Sequence, residues 1–410
     1  MKLFKKTSAL LIALLLTVVV AFNIRLYYQP KFVRHGPCQL NQDLIDHLAH
    51  LKEKLHAGAA SDMQQLFPEG FLFLNAVYGL SWAEVAAVLP DTDAVHREAM
   101  GELNWVLQEL ASEEARRPFN PELEPAYGIF YCGWSNYVLG RKLKLLPKSD
   151  WDTLEVQLFR QNCEAITEAV KNRNSPFPES YTHSCWPADM VVGMASVAIG
   201  EALFPGTYQT AIREWIIAVK ARTDGLGLLP HSCSPENGAV LESARGSSQS
   251  LILNFLLEID PDFARAQFRI YKAQFLDSRI GLPGIREYPK GITGVEDVDS
   301  GPVIWDIGGA ASIVGKRTMA LYGEQQVATG LRNSIETFGI GKTRDGKKKY
   351  LAGGLPVADG FIAWSNSVEA CKPKAIASTG GGWRMKIQLL SLALFVLGGF
   401  AIFKLLKPKR

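Results

Sequence analysis

No two of the six cysteines form a C-x-x-C pair. Cys38, Cys132, Cys163, Cys185, Cys233 and Cys371 are scattered, which excludes the paired-ligand spacing of a structural zinc site. The residues give no reason to expect a metal or a cofactor. No segment sustains two-residue apolar alternation between hairpin turns, so a large sheet is excluded too. Acidic residues are missing from both ends of the 410-residue chain: Met1–Arg25 carries four positive charges and Arg384–Arg410 six, with no Asp or Glu in either. The overall balance is only +3, so the body between them sits at about −7. A nucleic-acid binder needs the reverse, a basic stripe that displaces counterions from phosphates. The basic excess belongs at a membrane surface, and no nucleic-acid partner is expected.

Two uncharged apolar runs stand at those basic ends. Thr7 to Ile24 follows Lys2, Lys5 and Lys6, and Ile387 to Phe403 precedes Lys404, Lys407, Lys409 and Arg410. Each is at the short limit for a spanning helix. Val19-Val20-Ala21-Phe22-Asn23 offers no small-x-small cleavage site, which favours a retained anchor over a cleaved signal peptide. The expected order is a transmembrane anchor (1–25), a juxtamembrane linker (26–39), a body (40–378), a linker (379–386), a second transmembrane helix (387–404) and a basic tail (405–410). The excess of Lys and Arg beyond the second span places both termini in the cytoplasm and the body outside it.

The body repeats. Six times, 55 to 59 residues apart, a short loop hands over to an apolar stretch rich in small residues. The hand-over points are Glu69-Gly70-Phe71, Tyr127-Gly128-Ile129, Trp186-Pro187-Ala188, Arg245-Gly246-Ser247, Ser300-Gly301-Pro302 and Asp359-Gly360-Phe361. A period of that length suits two helices of about 15 residues and two loops. Gln39 to Leu55, Asp93 to Glu114, Asp152 to Lys171, Tyr208 to Arg222 and Pro261 to Phe275 have amphipathic spacing and read as outer helices. Met190 to Leu203, Ser250 to Leu257 and Ile304 to Leu321 are apolar nearly all round and read as inner ones. The fold class is all-α: six helical hairpins closing into an (α/α)6 toroid, with a transmembrane helix at each end. Short strands are expected only in loops, at Gly281 to Pro289 and Lys342 to Leu351. Closure would bring Cys38 near Cys371, where an oxidising compartment would permit a disulfide.

Loops at one rim would then converge on a single hollow. The loop before the third inner helix, Pro176 to Asp189, carries Glu179, Tyr181, His183, Cys185 and Trp186. Pro187 fits a helix's first turn, and Asp189 there faces either the hollow or the helix dipole. The next loop brings Glu242 and Arg245 together, as a structural pair, a clamp for a ligand carboxylate, or an acid or base with its partner. The loop after that holds Tyr288 and then Asp297 and Asp299. Crowded carboxylates raise the pKa of one of them, so that it stays protonated as a general acid. An Asp-x-Asp pair also suits calcium, but the rest of an EF-hand loop does not follow. Catalytic candidates are therefore Asp189, Glu242, Asp297 and Asp299. Glu179, Tyr181, His183, Cys185, Trp186, Arg245 and Tyr288 are candidates for binding substrate.

This repeat, with acid-bearing loops before small-residue helices, resembles the six-hairpin toroid superfamily over residues 40 to 378. That group includes glycoside hydrolases, polysaccharide lyases and linalool dehydratase/isomerase. The resemblance implies a carbohydrate or glycan ligand and acid/base catalysis by two carboxyls, one donating a proton and one activating water. Pro178-Glu179-Ser180-Tyr181-Thr182-His183-Ser184-Cys185 is also similar to the cysteine-bearing loop of linalool dehydratase. There a pair of cysteines acts on an allylic alcohol, and only Cys185 has a counterpart in this loop. That similarity implies a lyase or isomerase acting on a small terpenoid alcohol through Cys185, His183 and Glu179. A toroid kept as a non-catalytic scaffold in a membrane assembly is the third expectation. The residues carry no signal for oligomeric state.

Overall fold

The computed structural model describes residues 2–171, 173–298, 300–372 and 381–407. The protein is 62% helical, and its strands are too short to form a layer. The helices are α1 (Lys2–Arg25), α2 (Gln42–His56), α3 (Ala59–Leu66), α4 (Gly70–Ala86), α5 (Ala94–Leu110) and α6 (Glu113–Arg116). Then follow α7 (Gly128–Leu145), α8 (Thr153–Glu168), α9 (Pro187–Leu203), α10 (Gln209–Lys220) and α11 (Gly246–Ile259). The chain continues through α12 (Pro261–Phe275), α13 (Gly309–Leu321), α14 (Gln325–Phe338), α15 (Pro356–Ser367) and α16 (Met385–Leu406).

Two kinds of helix alternate, and four of the outer ones begin on a side-chain cap that the inner ones lack, while α10 and α14 have none. Asn41, Asp93, Asp152 and Asp260 cap α2, α5, α8 and α12 by accepting backbone N–H groups two or three residues on. The helices α4, α7, α9, α11, α13 and α15 have no such side-chain cap. In two of them the next loop supplies the acceptor instead. Ile129 N–H in α7 donates to the Glu179 carbonyl at 2.9 Å, and Gly246 N–H in α11 donates to the Glu287 carbonyl at 2.7 Å. Glycine stands at these two starts because that loop lies directly against them. A β-carbon at Gly128 would overlap the Ser180 carbonyl oxygen, and one at Gly246 the Arg286 carbonyl oxygen.

The uncapped helices pack on one another in sequence: α4 on α7, α7 on α9, α9 on α11, α11 on α13, α13 on α15, and α15 back on α4. Their centre is a run of aromatic rings. Phe73 meets Phe130 and Trp134, Trp134 meets Phe255, Phe255 stacks on Trp364, and Phe361 returns to Phe73, at 4.8 to 5.8 Å. Ring pairs in that range each add about 0.5–1.5 kcal/mol beyond the area they bury. Near the C-terminal ends of these helices lies a polar floor. Glu84 Oε1 is 3.3 Å from Arg141 and 2.7 Å from Arg317, and Tyr137 donates to Glu258 at 2.7 Å.

Four of the six hand-over points coincide with helix starts, at Gly70, Gly128, Pro187 and Gly246. The fifth does not. A ribbon of β7 and β8 (Val303–Ile304, Ile307–Gly308), turning through Trp305 and Asp306, separates Ser300 from α13, so the inner helix expected from Ile304 begins five residues later. The sixth falls inside α15. Pro356 opens that helix, and Gly360 is there because Leu74 and Val77 of α4 lie against it. Other ribbons are β1–β2 (Phe32–His35, Cys38–Asn41), β3–β4 (Ser232–Cys233, Val240–Glu242), β5–β6 (Leu276–Arg279, Leu282–Ile285) and β9–β10 (Lys342–Arg344, Lys347–Lys349). The first occupies much of the stretch read as a linker, 26–39. Of the second linker, Gly381–Arg384 forms a single 3-10 turn, while 379 and 380 lie outside the described residues, as do 373–378 and the tail's 408–410.

The two ends of the body are stitched together. Cys38 and Cys371 form a disulfide with Cα atoms 5.7 Å apart. Asn41 N–H donates to the Ala370 carbonyl and Lys372 N–H to the Gln39 carbonyl, both at 2.8 Å. Beyond them α1 and α16, 24 and 22 residues long, are long and apolar enough to cross a membrane, which takes about 20 residues. They run antiparallel: Asn23 donates to Ser391 Oγ at 2.8 Å, and Gly398 faces Leu16 and Ile12.

Candidate active site around Arg245

Three consecutive loops, 176–186, 221–245 and 276–308, enter α9, α11 and α13 side by side. Strand β3 ties the first two together. Cys233 N–H donates to the Cys185 carbonyl at 3.1 Å, and within the second loop His231 N–H donates to the Glu242 carbonyl at 3.0 Å. The third loop is fixed on the second through the bond from Gly246 to Glu287 described above.

The result is a charged cluster centred on the buried Arg245. Its Nε donates to Glu287 Oε1 at 2.8 Å, and its Nη1 and Nη2 grip both oxygens of Asp297 at 2.5 and 2.9 Å. Glu242 Oε1 lies 3.6 Å from Nη1, His231 Nε2 lies 3.5 Å from the same nitrogen, and the Tyr288 ring lies 5.4 Å from the guanidinium carbon. Three carboxyls thus surround one permanent cation. They cannot all ionise at equal cost, and their surroundings push them apart. Burial raises Asp297, but hydrogen bonds from Arg245 and the Ser300 backbone outweigh it and hold the carboxyl down at about 2. Burial raises Glu242, and the pull of Arg245 in the other direction is opposed by the charge of Asp297. Glu287 is fully buried and is also raised by burial, despite its bonds from Ser247 and Arg245. Its Oε2 has no hydrogen-bond partner among the described residues. Burial and the neighbouring guanidinium lower His231 to about 4, so its imidazole is neutral at pH 7. Among the described residues no group of three or more His, Cys, Asp or Glu is placed to hold a metal ion.

Of the residues singled out from sequence, Glu242, Arg245, Asp297 and Tyr288 meet here. Asp299 lies outside the described residues. The other candidates occupy the adjoining loop. Asp189 is buried in the first turn of α9 and accepts a 2.6 Å bond from Ser180 Oγ. Tyr181 donates to Glu69 at 2.5 Å and packs among Phe119, Phe130 and Trp186. His183 stands at an exposed tip with φ of 60°, where its backbone N–H donates to the Glu179 side chain. Cys185 is buried with its Sγ 2.8 Å from Cys233 Sγ, and that contact and its burial push its thiol well above the usual range. Sequence reasoning passed over His231, Glu287, Cys233 and Glu69. Glu287 and Arg245 are 42 residues apart, and only the approach of one loop to the glycine of another joins them.

No protein-family model matches the chain, and no curated protein matches it in sequence. The arrangement can do what two carboxyls of unequal acidity do: keep one protonated beside one that is ionised.

Proposed function

We propose that the body is an (α/α)6 toroid and that the protein is a membrane-anchored enzyme acting on a carbohydrate or glycan by carboxylate general acid/base catalysis. The circuit of packed helices from α4 round to α15 supports the architecture. The Arg245 cluster carries the activity. Glu242, side chain 44% exposed and raised, is the proton donor; Asp297, held ionised, is the base or nucleophile; Arg245 orients both, and Tyr288 offers a ring for a sugar to stack on. The two carboxylates sit 3.6 and 2.5 Å from one nitrogen, so their nearest oxygens are at most about 6 Å apart, close enough for both to act on one glycosidic bond.

A lyase or isomerase acting on a terpenoid alcohol is the second reading. It gains a second cysteine in Cys233. It loses the thiolate, because both sulfurs are buried and the raised pKa of Cys185 disfavours ionisation at neutral pH.

The antiparallel spans put the basic residues at their far ends on one side of the bilayer. The positive-inside bias supports the cytoplasm as that side, and a disulfide at Cys38–Cys371 suits a body on the other. The test is turnover of a glycan panel by the full chain in nanodiscs. Glu242→Gln and Asp297→Asn should each lower kcat by about 100-fold or more, with the helical circular dichroism unchanged, while Cys185→Ser is tolerated. Loss in Cys185→Ser alone would favour the second reading. Wild-type turnover indistinguishable from both carboxylate variants would leave the scaffold.

A further inference from the structure

The Arg245 cluster and the roots of the membrane helices are joined by one short chain of contacts. Glu287 N–H donates to the Asp306 carbonyl at 3.1 Å. Asp306 and Trp305 form the turn of the β7–β8 ribbon, and Arg279 holds that turn by donating to the Trp305 carbonyl at 2.9 Å and the Asp306 carboxylate at 3.1 Å. Next to Arg279, at the β5–β6 turn, Gly281 lies against the Trp383 carbonyl at the foot of α16. On the other side of the foot, Phe22 of α1 packs on Phe338 at 5.7 Å, and Arg25 donates to the Glu336 and Gly341 carbonyls. The end of α14 and the loop before α13 therefore share the rim from which both membrane helices leave.

Beside charged residues such as Glu242, Glu296 and Asp297, the rim carries seven large apolar side chains. Trp305, Ile304, Val298, Val295, Leu241, Phe338 and Ile340 are each more than half exposed. Leu241 and Val298 are the chain neighbours of Glu242 and Asp297. Tyr27, Trp383 and Arg384 gather at the foot of α16, with Lys386 against Gly281, the mixture of aromatic and basic residues that a membrane–water interface collects. A cavity of about 310 Å3 between Pro283, Gln326, Val327, Gly382 and Trp383 opens at the same foot. Exposed apolar side chains beside a spanning helix are stable where lipid covers them.

We propose that this rim rests on the bilayer interface, and that the site takes its substrate from the leaflet beneath it: a lipid-borne glycan, with its sugar at Glu242 and Asp297 and its apolar tail left in the membrane. The proposal rests on the membrane-anchored glycan-enzyme reading and supplies its substrate class.

Two measurements on the full chain test it. In phosphatidylcholine/phosphatidylglycerol nanodiscs, single labelled positions are quenched with phosphatidylcholine brominated near the headgroup. Trp305→Cys and Val298→Cys should quench to within about a factor of two of Ile24→Cys inside α1, while Leu154→Cys at the start of α8 stays unquenched. If the first two match Leu154 while Ile24 is quenched, the rim stands in water and the proposal falls, leaving the glycan reading intact. If Ile24 is unquenched, the membrane reading falls and takes the proposal with it. In the second measurement, dodecyl glycosides held in the nanodiscs are compared with methyl glycosides of the same sugars. The dodecyl member should show kcat/KM about tenfold higher or more. Equal rates overturn the substrate class, and no turnover of any pair counts against the enzyme itself.

Discussion

At the residue scale, the argument turns on how one guanidinium divides its charge among three carboxyls. Asp297 takes two of the bonds and is depressed; Glu242 and Glu287 are raised. A carboxyl that is more acidic in the folded state stabilises it above its unfolded pKa, and loses that contribution as pH falls through the folded value. For Asp297 the window runs from about 3.8 down to about 2. The side chain is nearly half exposed, so solvent screens the pair and the effect stays under about 1 kcal/mol. The melting temperature of Asp297→Asn should therefore lie slightly below wild type at pH 6. The gap should narrow as pH falls from 4 towards 2; a gap that widens would mean the bond to Arg245 is not the source. These charges were legible in the sequence because Glu242, Arg245, Asp297 and Tyr288 crowd two loops whose polarity needed a reason. Glu287 was written in the same loop and was missed. What marks it is its complete burial and a partner on another hairpin, and neither is a property of the local sequence.

At the element scale, the helices were readable because burial leaves different marks on the two sets. A helix that faces water on one side keeps the 3.6-residue stripe, so the Asp93, Asp152 and Pro261 segments declared themselves. A helix buried all round loses the stripe and is betrayed by small residues. The hand-over glycines were read as punctuation, and their reason became visible only with the next loop in place. Gly246 is the sharpest case. A β-carbon there would collide with the Arg286 carbonyl oxygen, on the peptide just before the residue whose own carbonyl accepts the Gly246 N–H. Backbone cannot yield as a flexible side chain does, so Gly246→Ala should cost about 1–3 kcal/mol in urea unfolding. It should also push Glu287 away from Arg245, cutting turnover more than an Ala substitution at Gly101 in α5, where nothing lies within 4 Å of the added carbon. Equal stability and turnover in the two variants would mean the loop is not seated on that glycine. The β7–β8 ribbon escaped sequence reading for a related reason. Its strands are two residues long, and the pairing is held by Arg279 and Arg286 from a neighbouring ribbon rather than by any alternation of its own.

At the scale of the whole molecule, the Cys38–Cys371 bond joins residues 333 apart, across the seam where the first and last parts of the body meet. The seam does not depend on sulfur alone, since β2 also bonds to the backbone at Ala370 and Lys372. Removing the disulfide should leave the native packing in place and act chiefly on the unfolded chain, whose ends would gain the freedom to separate. For a loop this long the expected cost of Cys38→Ser is about 2–5 kcal/mol, because closure entropy grows only logarithmically with length. In denaturant, the wild-type chain should titrate four thiols before reduction and six after it. Reductant should lower the wild-type melting temperature to that of Cys38→Ser and leave the variant unmoved. If instead six thiols titrate before reduction and reductant leaves the wild-type melt unchanged, the seam is closed by hydrogen bonds alone. The disulfide's support for a body in an oxidising compartment would then be gone, leaving the basic flanks of α1 and α16 to fix its side.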